Sequence, residues 1–225
     1  TLVPIVCAFV LACLSGNGNT AMPWAGFDNF AYIFKNEMFL ASLKNTFLYT
    51  IGTVPLTLVV SLFLAIVLNQ KIKGRNFFRT VSFFPYVGSL VAITAVWNML
   101  FNPSMGPINE ILMRLGVENP PRWIADNDWA MFTIVLFSVW KYMGYYMVIY
   151  LAGLQGINTE LYEAASIDGV NTWQKFWYVT LPQLKNTTFF ILIMLTIQCF
   201  KVYDIVYMLA GAGSGALSEA TTVLV

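Results

Sequence analysis

Residues 45–70 read NTFLYTIGTVPLTLVVSLFLAIVLNQ and contain no charged side chain. An α-helix rises about 1.5 Å per residue, so this stretch is long enough to cross the roughly 30 Å hydrocarbon core of a bilayer. Gly52 and Pro55 lie in its first half. Membrane helices tolerate both residue types when neighbouring groups satisfy the freed backbone carbonyls. The stretch therefore predicts a membrane-spanning α-helix.

Three further apolar runs extend this pattern along the chain. A charge-free run predicts one helix over 80–101, and two more spans are expected at 129–154 and 186–210. Shorter apolar stretches at 1–14 and 221–225 are typical of the end of one helix and the start of another. We therefore expect an all-α integral membrane protein with four complete spans and two incomplete ones.

The composition agrees with a membrane protein and narrows the function classes. Apolar residues make up 58% of the chain and charged residues 10%, against about 25% charged in soluble domains. A net charge of +1 gives no general attraction for nucleic acid. The chain has no His, and Cys7, Cys13 and Cys199 are scattered. We therefore expect no metal site, no disulfide framework and no catalytic residues.

Basic residues predict the orientation of the chain in the membrane. Lys71, Lys73, Arg75 and Arg79 crowd one short connector that has no acidic residue. Short cytoplasmic loops are enriched in Lys and Arg, so residues 70–79 are placed inside. Alternation then places 155–185 inside, and 15–42, 102–128 and 211–220 outside.

The connector over 155–185 has the signals of structure rather than those of a plain loop. Asn158 or Thr159 is expected to cap a short helix of about ten residues. Gly169 is expected to end this helix, as a glycine beyond a helix C-terminus commonly does.

A second short helix is expected directly after this glycine. Asn171 can cap it, and Gln174 follows at the spacing of a capping box. Pro182 is expected to end this helix before the next span begins. Two short helices bent at a glycine make a compact knob below the membrane, and Ala164 and Ala165 are small enough to let another helix approach it closely.

The connector resembles a known family signature. Glu163-Ala-Ala165, Asp168-Gly169 and Leu181-Pro182 are similar to the EAA signature of the permease subunits of bacterial ABC importers. The resemblance is closer to the carbohydrate importers and runs from about residue 26 to 225. Its further segments are Leu154-Gln155, Leu161-Tyr162, Ile167-Asp168, Val179-Thr180, Gly26-Phe-Asp-Asn-Phe30, Lys73-Gly-Arg75, Phe78-Arg-Thr80, Phe101-Asn-Pro103 and Tyr203-Asp204. The loop Gly211-Ala-Gly-Ser-Gly215 departs from the family by lacking a proline.

The resemblance implies a fold and a set of partners. It implies the type I ABC importer permease fold, a six-helix subunit forming one transmembrane domain over 1–225, with the first and last helices incomplete here. It also implies a second homologous permease, two cytoplasmic ATPase subunits that use ATP and Mg, and an external solute-binding protein. The chain itself contains no GxxxxGK[ST] phosphate loop. The expected location is the bacterial cytoplasmic (inner) membrane, with several passes through the lipid bilayer.

The resemblance implies that the segment 155–185 is the coupling helix region, which docks on the ATPases. The residues expected to form this joint are Glu163, Ala164, Ala165, Asp168, Gly169, Leu181 and Pro182. An amphipathic helix that rests on lipid is the alternative interpretation of the same segment.

A second group of residues is expected to line the solute path near the middle of the membrane. Polar and aromatic side chains there can bond to sugar hydroxyls and stack on pyranose faces. The candidates are Tyr142, Tyr145, Tyr146, Gln198 and Cys199. By resemblance to the family's best-known disaccharide importer, Tyr145, Gln198, Cys199 and Val202 fall on sugar-contacting positions. Ordinary helix packing is the alternative.

Lys201 and Asp204 are expected to form a structural intramembrane charge pair, with a substrate site as the alternative interpretation. An unpaired charge in the middle of a membrane costs roughly 2.5–3.5 kcal/mol on insertion scales. Their i, i+3 spacing places both side chains on one face of a continuous helix. Lys141 on a neighbouring helix is a further candidate partner for Asp204.

The function expected from these features is solute import, with several alternatives. An intramembrane enzyme would need an acid pair or a nucleophile and base within the spans. A channel or secondary transporter could use charges in its spans but has no need of an EAA connector. Among importers, a sugar is favoured over glycerol-phosphate, phosphate, polyamines or amino acids, because few basic residues face the expected path.

Overall fold

The structure is a computed structural model that describes residues 2–15, 23–70 and 72–210. These residues form an all-α arrangement. The α-helices, in chain order, are α1 (Leu2–Ala12), α2 (Asp28–Ile33), α3 (Glu37–Asn69), α4 (Arg75–Val87), α5 (Leu90–Leu100), α6 (Pro107–Arg114), α7 (Asn127–Gln155), α8 (Thr159–Ile167), α9 (Thr172–Lys175), α10 (Leu181–Gln183), α11 (Lys185–Cys199) and α12 (Tyr203–Ala210). The predicted loop at 211–220 and the predicted helix start at 221–225 lie outside the described residues.

Two single helices and two bent pairs account for the four apolar runs. Helices α3 and α7 are each long and apolar enough to cross a membrane. Helix α3 covers the predicted span 45–70 except for its last residue, and α7 contains the predicted span 129–154. Helices α4 and α5 meet at a bend of 101°, and α11 and α12 meet at a bend of 51°. If each bent pair is one span, length and composition allow up to four spans. The prediction of a single helix over 80–101 is therefore wrong, and the span predicted over 186–210 is a bent pair of helices rather than one continuous helix.

The break between α4 and α5 has a local cause. Pro85 has no N–H and so removes one helical hydrogen bond near the end of α4. Gly88 and Ser89 then have extended backbones, with φ −61°, ψ 150° and φ −56°, ψ 127°. Two consecutive extended residues turn the chain away from the α4 axis, so α5 begins in a new direction.

The main helix–helix interface of the core joins α3 and α7. Helix α3 buries small residues at spacings of four or seven, along one face: Ser42, Thr46, Thr53, Thr57, Ser61 and Ala65. Ser61 Oγ donates to the Thr57 carbonyl at 2.6 Å within its own helix. Small residues allow membrane helices to approach closely, and a hydroxyl bonded to its own backbone adds no unsatisfied polar group. Residues of α3 and α7 therefore pack together in the hydrophobic core of the described residues.

Helix α4 crosses α7 at Gly144. A Cβ atom at this position would overlap the Ser82 carbonyl and lie 2.9 Å from Phe83 Cα. Only glycine therefore allows the two backbones to touch. The crossing places the last turn of α4, with Pro85 and Tyr86, against the middle of α7.

The first short helix of the connector forms as predicted. The Asn158 side chain caps α8 by accepting from the Glu160 N–H. After α8, the Gly169 N–H donates to the Ser166 carbonyl and the Val170 N–H donates to the Ala165 carbonyl, at 3.2 and 3.0 Å. These two bonds are those of a Schellman motif, which requires a left-handed residue, and Gly169 has φ +71°.

The second short helix differs from the prediction at its end. The capping box of Asn171 and Gln174 is present, as predicted. Pro182 does not end the helix, however, because the chain continues through a π-helical turn, Phe176–Thr180, into α10. Proline is tolerated in the first turn of a helix, where its missing N–H is not needed. The chain leaves helical geometry only at Leu184, with φ −82° and ψ 0°.

Candidate functional site

A polar cavity of about 240 Å³ lies between the two helix breaks. It is lined by Tyr86, Leu90, Lys141, Tyr142, Gln198, Lys201, Asp204 and Ile205. Helices α4 and α5 contribute residues on either side of the first break, and α11 and α12 do so around the second. Helix α7 supplies the wall between them.

Four tyrosines cluster beside this cavity. The ring of Tyr86 stacks on Tyr145, with centroids 4.3 Å apart and planes 14° apart. Tyr142 lies 6.4 Å from Tyr86, and Tyr146 lies 5.1 Å from Tyr145. The structure therefore brings together the three tyrosines singled out from sequence, around a fourth that was not.

The candidates at the end of α11 and just after it, Gln198, Cys199 and Val202, separate into one exposed residue and two buried ones. Gln198 lines the cavity, and its Nε2 donates to Tyr142 Oη at a long 3.5 Å. Cys199 and Val202 are 0% and 2% exposed and belong to the hydrophobic core. Of these three residues, only Gln198 presents a polar side chain to the cavity.

Lys201 and Asp204 both line the cavity, but they do not form the predicted ion pair. Among the described residues, the ion pair that is present joins Arg114 and Glu110. The i, i+3 rule requires a continuous helix, and the regular helix is interrupted by turns at 200–202, between α11 and α12. The two side chains thus share the cavity without pairing.

Lys141 also has a different partner from the one considered from sequence. It is 9% exposed, and its Nζ donates to the Pro85 carbonyl at 3.2 Å. The Pro85 carbonyl belongs to the last turn of α4, where carbonyls have no intrahelical donor. Lys141 therefore bonds to the end of the broken helix instead of pairing with Asp204.

The knob, residues 158–184, forms a second site at one end of the bundle. Tyr162 Oη and Thr180 Oγ1 are hydrogen-bonded at 2.9 Å, and Lys175 Nζ donates to Ser166 Oγ at 2.6 Å. These bonds join α8 to the segment that follows Gly169, so the bend is held by side chains as well as by backbone.

Most of the predicted joint residues lie on the surface of the knob. Glu163, Ala164, Asp168 and Gly169 are exposed, while Ala165 is buried at 8%. Leu181 is half-buried, and Pro182 is exposed. Ile167, the last residue of α8, is 87% exposed. This is a large exposed apolar surface for a side chain outside the apolar spans.

Sequence reasoning missed Tyr86 as a site residue. It directly follows Pro85 and lies two residues before Gly88, where a proline and a glycine interrupt an apolar run. Polar sites in membrane transporters are typically built at discontinuous helices. A proline and glycine close together in a span, with an aromatic polar residue between them, were thus a usable signal.

Comparison with known proteins identifies the family. Residues 57–222 match the family described as "Binding-protein-dependent transport system inner membrane component". The chain belongs to this family. It is 37% identical to the probable ABC transporter permease protein YesP of Bacillus subtilis (strain 168), over 96% of this chain and 70% of that protein. It is 35% identical to the lactose transport system permease protein LacF of Rhizobium radiobacter, over 98% of this chain and 74% of that protein.

A third relative and a solved structure complete the comparison. The trehalose/maltose transport system permease protein MalF of Thermococcus litoralis is 34% identical, over 90% of this chain and 68% of that protein. A chain of a bacterial ABC transporter involved in alginate import superposes with a TM-score of 0.83, covering 99% of this chain and 75% of that chain at 24% identity. The structural likeness shows the type I ABC importer permease fold.

Membership of this family makes the chain a non-catalytic membrane subunit of an ABC transporter. Within the described residues, no group of three or more His, Cys, Asp or Glu side chains is placed to hold a metal ion.

Proposed function

We propose that this chain is the transmembrane subunit of an ATP-driven importer and forms half of the translocation path for a sugar or oligosaccharide. The observation that carries the proposal is the cavity between the helix breaks, where aromatic rings and polar side chains meet inside an apolar bundle. Relatives named for lactose and for trehalose/maltose transport support a sugar as cargo.

The chain works with partners that supply energy and selectivity. A second homologous permease provides the other half of the path, and two cytoplasmic ATPases bind and hydrolyse ATP with Mg. A solute-binding protein delivers cargo from outside the bacterial cytoplasmic membrane. The excess of Lys and Arg at 70–79 supports placing this connector on the cytoplasmic side. Alternation of the spans then places the knob on the same side.

The knob couples this chain to the ATPases. Its exposed helix α8 offers the small Ala164 and the apolar Ile167 to a partner groove, with Glu163 and Asp168 beside them. Side-chain bonds hold α8 to the following segment. A docked rigid knob transmits closure of the ATPases to the bundle as a rigid-body movement, which changes the side to which the path is open.

The solute path runs beside the tyrosine cluster. Tyr142, Tyr145, Tyr146 and Gln198 surround or line the cavity. Cys199 is buried behind Gln198, so it shapes the path through packing. Stacking on rings and hydrogen bonds to hydroxyls are the two interactions by which these residues bind a sugar.

Glycerol-phosphate is the second candidate cargo. The observation in its favour is that two lysines, Lys141 and Lys201, line the cavity. A relative named as an sn-glycerol-3-phosphate permease, from Agrobacterium fabrum (strain C58), is 33% identical over 87% of this chain and 67% of that protein.

Uptake by the complete transporter tests the proposal. The four-subunit complex is reconstituted in liposomes with its binding protein, and uptake of labelled lactose, maltose, trehalose and glycerol-3-phosphate is measured with and without internal ATP. We expect ATP-dependent uptake of a sugar and none in a complex whose ATPases cannot hydrolyse ATP. Uptake without ATP would contradict an ABC importer, and uptake of glycerol-3-phosphate alone would contradict the sugar cargo.

A further inference from the structure

The basic corner, residues 72–79 between the end of α3 and the first turns of α4, concentrates positive charge. Lys73 and Arg75 are exposed there, on either side of Gly74. Arg75 is the first residue of α4, and the first turn of this helix has no acidic side chain. The start of a helix carries partial positive charge, so it adds to the two side chains instead of balancing them. The basic corner therefore attracts an anion.

The protein supplies no counter-charge at this point of the chain. The sequence has no Asp or Glu between Glu37 and Glu110. Within the residues that the structure describes, neither Lys73 nor Arg75 forms an ion pair. Both side chains are thus open to an anionic group of another molecule.

Arg79 has a different role in the basic corner. Its Nη2 donates to the Leu68 carbonyl at 2.9 Å, in the last turn of α3. Carbonyls in the last turn of a helix have no intrahelical donor and lie at its negative end. Arg79 therefore ties the start of α4 to the end of α3, while Lys73 and Arg75 point their charge at the surroundings.

An exposed apolar stripe leads away from the basic corner along α4. Phe77, Val81 and Phe84 follow one another at the i, i+4, i+7 spacing of one helix face, and they are 68, 51 and 68% exposed. A different side of α4 packs on α7, where a Cβ atom at Gly144 would overlap the Ser82 carbonyl. The stripe begins in the first turn of α4, so it starts directly beside the basic residues.

The basic corner lies where a membrane span ends. Helix α3 is long and apolar enough to cross a membrane, it ends at Asn69, and α4 begins at Arg75. Basic residues next to the end of a span lie at the level of the lipid headgroups and attract anionic lipids. Exposed phenylalanine and valine side chains beside them match the acyl chains. Charge and stripe together thus complement the two parts of a phospholipid, its head and its tail.

We propose that the basic corner binds an anionic phospholipid, with the phosphate on Lys73 and Arg75 and an acyl chain along Phe77, Val81 and Phe84. None of these residues lines the cavity, so the lipid is a second ligand and not the solute. Acidic side chains of an ATPase subunit are the competing occupant. They would match the two basic residues but not the exposed stripe.

Lipid quenching in the purified complex tests the proposal. Phe77→Trp places a fluorescent probe in the stripe, and the complex is reconstituted in nanodiscs of phosphatidylcholine and phosphatidylglycerol. Bromine on an acyl chain quenches a tryptophan that it touches. One preparation contains brominated phosphatidylglycerol and the other brominated phosphatidylcholine, at the same mole fraction. Subtracting the signal of the complex without Phe77→Trp gives the relative association of the two lipids with the stripe.

The expected result is a preference for phosphatidylglycerol that depends on the two basic residues. We expect it to associate at least about fivefold more strongly than phosphatidylcholine, the contribution of one Lys or Arg near an anionic lipid surface. Adding Lys73→Gln and Arg75→Gln together should bring the ratio of the two lipids to within about twofold of one. Raising NaCl to roughly 0.5 M should also lower the preference, because salt screens exposed charges.

Lys35→Gln and Lys44→Gln together are the matched control. Both lysines are exposed, one just before α3 and one in its first third, far from the end where the basic corner lies. The double substitution changes the net charge by the same amount and leaves Lys73 and Arg75 in place. Its preference for phosphatidylglycerol should equal that of the complex with Phe77→Trp alone.

Equal association of the two lipids with the stripe would overturn the proposal. A preference that survives the loss of Lys73 and Arg75, or that falls just as far in the control, would do the same. If Lys73→Gln and Arg75→Gln release the ATPase subunits and leave the lipid preference unchanged, the basic residues bind an ATPase instead. If Phe77→Trp does not assemble, native mass spectrometry counts the phosphatidylglycerol retained with and without the two basic residues, and equal numbers decide against the proposal.

Discussion

The knob and the cavity are held together by different kinds of contact. In the knob, the bends are fixed by residues at most 18 positions apart, from the Asn171–Gln174 capping box and the Schellman bonds around Gly169 to the Tyr162–Thr180 hydrogen bond. In the cavity, the residues that meet are far apart in sequence, as with Tyr86 and Tyr145 or Lys141 and the Pro85 carbonyl. A locally fixed knob keeps its shape while the bundle moves, whereas the shape of the cavity depends on how the helices cross.

The largest effect is expected at the crossing of α4 and α7, because the shape of the cavity depends most on this close contact. Gly144→Ala places a methyl group onto the Ser82 carbonyl, so α4 must move away from α7. Overpacking of this kind costs about 3 kcal/mol, and the shift also separates Tyr86 from Tyr145. We expect a lower melting temperature of the purified complex and loss of sugar uptake.

Gly156→Ala is the control for this substitution. A Cβ atom there would meet its nearest neighbour, the Gly153 carbonyl, at an ordinary 3.5 Å. It should leave stability and uptake nearly unchanged. Normal stability and uptake in Gly144→Ala would show that α4 does not need this close contact.

The contrast between the two regions also explains what could be predicted from sequence. The caps of α8 and α9 follow from single residue types at fixed offsets, so Asn158, Gly169 and the capping box were found correctly. The end of the helix that begins at α9 was predicted wrongly. Proline is compatible both with ending a helix and with the first turn of the next one. Local rules give the positions of caps but not the continuation of the chain.

The cavity could be predicted only in part because it depends on tertiary contacts. Membrane helices tolerate proline, so Pro85 in an apolar run did not distinguish a mild kink from a bend of 101°. The pairing of Lys201 with Asp204 assumed a continuous helix that the structure breaks. Tyr142 and Gln198 do line the cavity and Tyr145 lies beside it, but their contact with solute stays a prediction.

A medium effect is expected at the bend of the knob. Gly169 has φ +71° and no neighbour within 4 Å of a built Cβ atom, so a side chain there meets strain rather than a clash. A left-handed backbone costs a valine about 1–2 kcal/mol. Gly169→Val should therefore change the angle of α8 and lower the amount of sugar transported per ATP hydrolysed.

Gly169→Asn separates backbone strain from simple bulk, because asparagine adopts the left-handed conformation more easily. We expect Gly169→Asn to transport about as much sugar per ATP hydrolysed as the wild type does. If valine and asparagine lower the sugar transported per ATP equally, then Gly169 is needed for contact with a partner and not for its backbone angle. If neither changes transport, the bend does not take part in coupling.

The smallest effect is expected from removing a single cap in the knob. Asn171→Ala removes the acceptor of the Gln174 N–H and should cost about 1 kcal/mol, the usual value for an N-cap. The loss is local to the start of α9. We expect faster hydrogen exchange over 171–176, measured by mass spectrometry on the complex, with no change around the cavity.

Thr172→Ala provides the comparison, since Thr172 is exposed at the first position of α9 and does not cap it. Its exchange should match that of the wild type. If Asn171→Ala also speeds hydrogen exchange in α4 or around Tyr86, the stabilities of the knob and the cavity are coupled. The knob would then not be fixed by its local contacts alone. If exchange rises only in α9, the knob can lose part of its own structure while the path above it stays intact.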